Sequence, residues 1–241
     1  MLRLIEYSRY YGYKKVLDNI DFELHRNQIV CLLGPNGAGK TTFLEGILSH
    51  NRQGRTKFYY HSKEIHTLKD HYDFLKNVSY LGHEPGIFLD LTLIENLDYL
   101  IELYKPVKEN LYTKEEILDL IYQIGLYERR NDLVRNYSRG MKQRAGLLRS
   151  IITKPELLLL DEPITGLDIQ GKEFLVQFLE SFKKNASCII VTHDEEIFSS
   201  IADRYVYLFQ GKIIADVCKE KYNQTSKRKI QELIQQYSFD R

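Results

Sequence analysis

The sequence predicts an α/β fold with an antiparallel N-terminal portion and a mostly helical insertion. Three observations predict it. Continuous apolar runs at Ile29 to Leu33, Leu157 to Leu160 and Cys188 to Val191 have the length of strands buried on both faces, as in a parallel sheet covered by helices. The opening stretch instead alternates, with Leu2 and Leu4 and then Ile20, Phe22 and Leu24 flanking a turn-like Tyr-Gly segment, which reads as two antiparallel strands. Between about Thr92 and Thr153 the apolar spacing becomes helical, as in Leu93, Leu97, Leu100, Ile101, Tyr104 and again in Ile117, Leu118, Ile121, Ile124.

Taken in order, the strand at Ile29 to Leu33 runs into a Gly-rich loop and an amphipathic helix from Thr41 to Leu48. A second strand is expected at Val78 to Leu81. After the insertion, strand and helix alternate again: Leu157 to Leu160, a helix over Gly171 to Lys184, and Cys188 to Val191. A hairpin turns at Gln210-Gly211, and a last amphipathic helix passes through Ile230, Leu233 and Ile234. The expected organisation is a single domain over 1–241, with 1–83 and 155–241 as the α/β core and 84–154 as a helical subdomain.

Composition narrows the function classes. Of 241 residues, 43% are hydrophobic and 28% charged, within the range of globular domains that bury a core. A net charge of +1 lacks the basic footprint of a dedicated nucleic-acid binder, so no nucleic-acid partner is expected. Lys227, Arg228 and Lys229 read as a solvated face, with membrane-surface contact as the other reading. No run approaches the roughly 20 apolar residues of a membrane span, and the first 15 residues lack an apolar signal core. Cys31, Cys188 and Cys218 fit no metal-ligand spacing; the first two lie in apolar runs and read as reduced core residues.

The chemistry is concentrated in a few motifs. Gly34-Pro35-Asn36-Gly37-Ala38-Gly39-Lys40-Thr41-Thr42 satisfies G-x-x-x-x-G-K-[ST] between an apolar strand and a helix. Gly37 and Gly39 let backbone N–H groups curl around a polyphosphate, and the helix beginning near Lys40 adds its positive dipole end. Lys40 can reach the β- and γ-phosphates, and the Thr41 hydroxyl can ligate Mg²⁺. At ordinary residue frequencies the pattern arises by chance in only about one chain of this length in a hundred. Downstream, Leu157-Leu-Leu-Leu160-Asp161-Glu162-Pro163 delivers two carboxylates from the end of a buried strand. Asp161 would hold Mg²⁺, and Glu162 would polarise the attacking water.

With these motifs in this order, the chain resembles the ATP-binding subunit of an ABC transporter over nearly its whole length, which implies a P-loop NTPase (RecA-like) core. Tyr137-Ser138-Arg139-Gly140-Met141-Lys142-Gln143-Arg144 resembles that family's signature, at the family's spacing before Asp161. Ser138 and Gly140 would then contact the γ-phosphate of ATP held by the opposite subunit. Ser138 is also readable as a plain helix N-cap, and the two roles are compatible. Thr165-Gly166-Leu167-Asp168 resembles the dimer-contacting loop, and Thr192-His193-Asp194 the switch histidine, with His193 at the γ-phosphate. Tyr11, before Gly12, matches the aromatic that stacks on adenine, although Tyr10 and Tyr13 are close by.

Two departures stand out. Where the family carries a glutamine at the metal and water, this chain has His83, either as a replacement sensor or as a tolerated substitution contacting only water. The run Leu81-Gly82-His83-Glu84-Pro85-Gly86 also resembles the haem-exporter ATPases of cytochrome c maturation. The second departure is Arg139, which stands in place of a signature glycine; the Ser-Arg-Gly-Met form is widespread among export ATPases. The resemblance implies ATP and Mg²⁺ as cofactors and a second ATP-binding subunit, homo- or heteromeric, bound head to tail. It implies an integral membrane transporter subunit as partner, and a peripheral position on the cytoplasmic face of the membrane. Ile87, Phe88 and Leu91 are readable either as the docking surface for that partner or as core. A soluble non-transport ABC ATPase is the alternative, but the long coiled-coil insertion of repair types and the tandem units of translation types are both missing. A kinase or GTPase leaves the Ser138 signature unexplained, and a catalytically dead regulatory subunit would not need Lys40, Asp161, Glu162 and His193 together.

Overall fold

Strands whose every side chain is buried anchor the architecture. The computed structural model describes residues 1–51 and 53–239. It divides into two compact units, one holding Met1–Phe74 and the chain from Ser187 onward, the other Leu75–Ala186.

In the first unit, β1 (Leu2–Tyr11) and β2 (Lys14–Leu24) form an antiparallel pair closed at Gly12 and Tyr13, with Leu2 opposite Leu24 and Leu4 opposite Phe22. Period-two alternation turns Leu2, Leu4, Phe22 and Leu24 to the buried face. The register shifts three times, between Leu4 and Tyr7, between Tyr7 and Arg9 and between Arg9 and Tyr10, and Glu6 and Asn19 at the first two take positive φ. β3 (Ile29–Leu33) is wholly buried and leads into α1 (Lys40–Leu48). The ring of Phe43 on α1 meets those of Tyr7 and Phe22 edge-on at 5.5 and 5.1 Å.

β4 (Lys57–Tyr60) and β5 (Lys63–Glu64) extend the antiparallel sheet to the order β2-β1-β4-β5, and α2 (Leu68–Leu75) lays Phe74 5.0 Å from the rings of Phe58 and Tyr60. These three elements are additional to the sequence expectation. The strands span only four and two residues, and their turn uses His61 and Ser62 at φ 49° and 64° instead of glycine. Neither the usual periodicity nor the usual punctuation is present to mark them.

The second unit pairs β6 (Val78–Leu81) in parallel with the buried β7 (Leu157–Asp161), Leu81 standing opposite Leu160. Around them lie α3 (Leu93–Tyr104), α4 (Lys114–Gln123), α5 (Arg139–Ile151) and α6 (Ile169–Phe182). Thr92 with Glu95, and Thr113 with Glu116, form reciprocal capping boxes that start α3 and α4. α5 packs on β6 and on α3.

The first unit is completed by β8 (Ser187–Val191) and β9 (Arg204–Phe209), which flank β3 and run parallel to it. β10 (Lys212–Cys218) returns antiparallel to β9 through Gln210 and Gly211, both at positive φ as a tight hairpin requires. α7 (Gln224–Phe239) follows. Among the described residues, no helix is long and apolar enough to cross a membrane.

Two outcomes follow from this packing. Burial pushes the Cys31 and Cys188 thiols well above their ordinary range, whereas Cys218 is exposed. One thiol should therefore react with an aromatic disulfide reagent at pH 8 in the native protein, and three after denaturation. Gly34, at φ 146°, would place an added Cβ 2.1 Å from the carbonyl oxygen of Leu208 on β9. Gly34→Ala should lower stability by about 2–4 kcal/mol, read from urea unfolding midpoints.

Candidate functional site

The loop between β3 and α1 is built by its glycines. Gly37 and Gly39 take φ values of 78° and 105°, which side-chain-bearing residues avoid. A Cβ on Gly39 would lie 2.7 Å from Leu17 Cδ2, whereas one on Gly37 would meet nothing within 4 Å. Gly37 therefore bends the chain beside open space, and Gly39 lets it approach β2. Gly34, Ala38, Gly39 and Lys40 are buried, Pro35, Asn36 and Gly37 are exposed, and Thr41 and Thr42 are half-buried.

Lys40 is 6% exposed, and its Nζ donates to the carbonyls of Gly34 at 2.7 Å and Pro35 at 3.0 Å. The ammonium is thus held inside the loop it closes. The N-terminus of α1 has Gly39 as its N-cap and no side-chain cap, so its first N–H groups suit an anion.

Elsewhere in the first unit, Tyr11 is 59% exposed at the end of β1, and its hydroxyl donates to Glu45 Oε2 on α1 at 3.4 Å. Tyr10 and Tyr11 line a cavity of about 210 Å³ together with Thr42 and Glu45. Tyr13 projects fully into solvent. His193 is exposed beyond the end of β8, in a turn held by Thr192 Oγ1, which accepts from the N–H of Asp194 at 3.0 Å.

In the second unit, Asp161 ends β7 at 1% exposure. Glu162 follows at φ 51°, a left-handed conformation that costs a side-chain-bearing residue roughly 1–2 kcal/mol and that clusters at functional sites. Parallel pairing of Leu81 with Leu160 sets the residues beyond β6 beside those ending β7. Accordingly, His83 Nε2 lies 3.7 Å from Asp161 Oδ2.

Ser138 is the N-cap of α5, its Oγ accepting from the N–H of Met141 at 3.2 Å. Gly140 leaves room for the carbonyl of Gly166, which a Cβ would approach to 3.0 Å, and the Arg139 side chain lies along Gly166. Asp168 caps α6 by accepting from Gly171 N at 2.8 Å, a structural duty additional to the dimer contact the resemblance implies. Phe88 is 55% exposed, while Ile87 and Leu91 are half-buried.

Three positioning residues were missed in sequence. Arg149 on α5 donates from Nη2 to Tyr80 O at 3.2 Å and from Nε to Pro85 O at 3.1 Å, clamping both sides of His83. Asn96 on α3 holds both the N–H and the carbonyl of Phe88, at 2.7 and 3.0 Å. Gln143, buried on α5, donates to Pro163 O at 3.2 Å, just beyond Glu162. The only available signal was a polar residue on the inward face of a helix.

No group of three or more His, Cys, Asp or Glu side chains suited to a metal occurs among the described residues. A buried strand-tip carboxylate with a neighbouring donor nonetheless fits Mg²⁺, which is usually held by one or two carboxylates plus substrate phosphates and waters.

Comparisons with known proteins identify the family and the fold. Residues 17–165 match the family described as ABC transporter. The chain is 30% identical over 235 residues to the arginine transport ATP-binding protein ArtM of Bacillus subtilis (strain 168), covering 95% of this chain and 96% of that one. It is 28% identical to the spermidine/putrescine import ATP-binding protein PotA of Borreliella afzelii (strain PKo), covering 97% of this chain and 67% of that one. In fold it is similar to a solved ATP-binding subunit of an ABC transporter, with a TM-score of 0.83, 23% identity, and coverage of 96% of this chain and 98% of that one. The P-loop NTPase fold expected from the sequence is thus the fold observed, and the chain belongs to the ABC transporter family as an ATP-binding, ATP-hydrolysing subunit.

Proposed function

We propose that this chain powers an exporter by ATP-driven head-to-tail pairing with a second ATP-binding subunit. The observation that carries the reading is the loop after β3, where Lys40 is held on the Gly34 and Pro35 carbonyls beside an uncapped helix N-terminus. Such a loop binds a polyphosphate through backbone N–H groups and one ammonium.

The roles then divide by chemistry. Gly34 to Thr42 grip the triphosphate, Tyr11 stacks on adenine, and Lys40 neutralises the β- and γ-oxygens. Thr41 and Asp161 would hold Mg²⁺, with His83 bordering it, and the bound ion would supply charge neutralisation at the phosphate oxygens. Glu162 orients and deprotonates the water, and His193 contacts the γ-phosphate. Ser138 and Gly140, at the start of α5, present that helix's N-terminal dipole to the γ-phosphate of the partner subunit's ATP. Each site requires both chains, so binding closes the pair and hydrolysis reopens it.

Residues 84–154 form the helical part of what works as one ATPase domain. The exposed Phe88, on a segment anchored by Asn96 and Arg149, favours docking there of a membrane-spanning subunit at the cytoplasmic face. Export is favoured by the Ser138-Arg139-Gly140-Met141 signature and the Leu81 to Gly86 run. Co-purification of a multi-span membrane protein from detergent extracts tests the partnership, and counterflow in vesicles tests the direction.

Two variants test the site. Glu162→Gln should retain ATP and accumulate a dimer on size-exclusion chromatography, with turnover nearly abolished; ordinary turnover removes Glu162 as the base. Lys40→Ala should weaken binding of a fluorescent ATP analogue by about 10- to 100-fold, the loss expected for a charge-assisted hydrogen bond.

A further inference from the structure

We propose that His83 is a direct nitrogen ligand, through Nε2, of the divalent ion that accompanies the nucleotide, and that it biases the site towards a transition ion of the Mn²⁺ to Co²⁺ class over Mg²⁺. The inference rests on the ATP-binding reading above and refines its metal.

The parallel register of β6 and β7 is the origin of the arrangement. With Leu81 opposite Leu160, the chain beyond each strand emerges on the same side, and His83 reaches the carboxylate that ends β7. The 3.7 Å between His83 Nε2 and Asp161 Oδ2 exceeds a hydrogen bond. It lies within the span of two ligands on one ion, since two bonds of about 2.1 Å reach at most about 4.2 Å end to end.

The two donors differ in setting. Asp161 is enclosed at 1% side-chain exposure, whereas the His83 imidazole is 62% exposed. The His83 segment is held at both ends, because Arg149 binds the carbonyls of Tyr80 and Pro85. Gly82 adds to this: a Cβ there would meet the Tyr80 ring at 3.0 Å, so the backbone lies close against that ring.

Donor chemistry sets the preference. Mg²⁺ takes oxygen ligands and sheds water reluctantly. An imidazole nitrogen adds affinity for first-row transition ions, rising from Mn²⁺ towards Cu²⁺. One nitrogen beside one carboxylate, with phosphate oxygens completing the shell, is a mixed set that favours such an ion over Mg²⁺. Asp161 and the phosphates still admit Mg²⁺, so the consequence is a shift in selectivity and not a loss of Mg²⁺ binding.

The test is pulsed electron paramagnetic resonance on the full chain loaded with Mn²⁺ and ADP. A ¹⁴N modulation from a directly bound nitrogen is expected in the wild type. It should change to the ¹⁵N pattern when only histidine is ¹⁵N-labelled, and it should vanish in His83→Gln. In parallel, the Co²⁺ dissociation constant measured with ADP should rise by about tenfold in His83→Gln, while that of Mg²⁺ changes by less than about twofold. Bound Mn²⁺–ADP without nitrogen modulation, or modulation that survives His83→Gln, overturns the proposal and leaves the ATP reading intact. Failure of ADP to bind with either ion removes the ATP reading, and this inference with it.

Discussion

A strand buried on both faces can place chemistry only at its ends, and this constraint governs the molecule. β3, β7 and β8 have no exposed side chain along their length. Apart from Ser187 at the start of β8, each consists of apolar residues until it emerges, and each is followed by polar groups: the glycine loop after β3, Asp161 and Glu162 at the tip of β7, and His193 beyond β8. The apolar interior, which supplies most of the folding free energy, thereby fixes where the functional groups stand.

The cations near these tips are secured largely by backbone carbonyls. Lys40 donates to Gly34 and Pro35, and Arg149 to Tyr80 and Pro85. A buried cation needs hydrogen-bond partners because desolvation is expensive. Carbonyls supply them without consuming a carboxylate. The same bonds stiffen the loops: the lysine closes the one it belongs to, and the arginine, reaching from α5, braces the chain on either side of His83. Preorganisation of this kind lets a site act on a ligand without first ordering itself.

The second unit links its own functional segments by close packing at two glycines and by one further bond to a backbone carbonyl. Gly140 admits the Gly166 carbonyl, Arg139 lies along Gly166, and Gln143 holds the Pro163 carbonyl. The start of α5 and the chain running from Glu162 to Asp168 are consequently in direct contact. The arginine that departs from the family's signature has a packing role here, against Gly166, whose φ of 82° favours a residue without a side chain.

Elements with strong periodicity or a complete motif were legible without coordinates: the buried strands, the glycine loop, the paired carboxylates, the N-cap at Ser138 and the hairpin at Gln210-Gly211. Each is determined by local chemistry, namely an unbroken apolar run, a required positive φ, or a short polar cap. What only the tertiary structure decided depends on partners distant in sequence. β4, β5 and α2 are too short or too mixed to announce themselves, and take shape by pairing with β1 and by the ring contacts of Phe74. Arg149, Asn96 and Gln143 became interpretable only when their carbonyl partners were known. The approach of His83 to Asp161 likewise comes from the register of β6 on β7, because strand pairing joins residues that no local pattern connects.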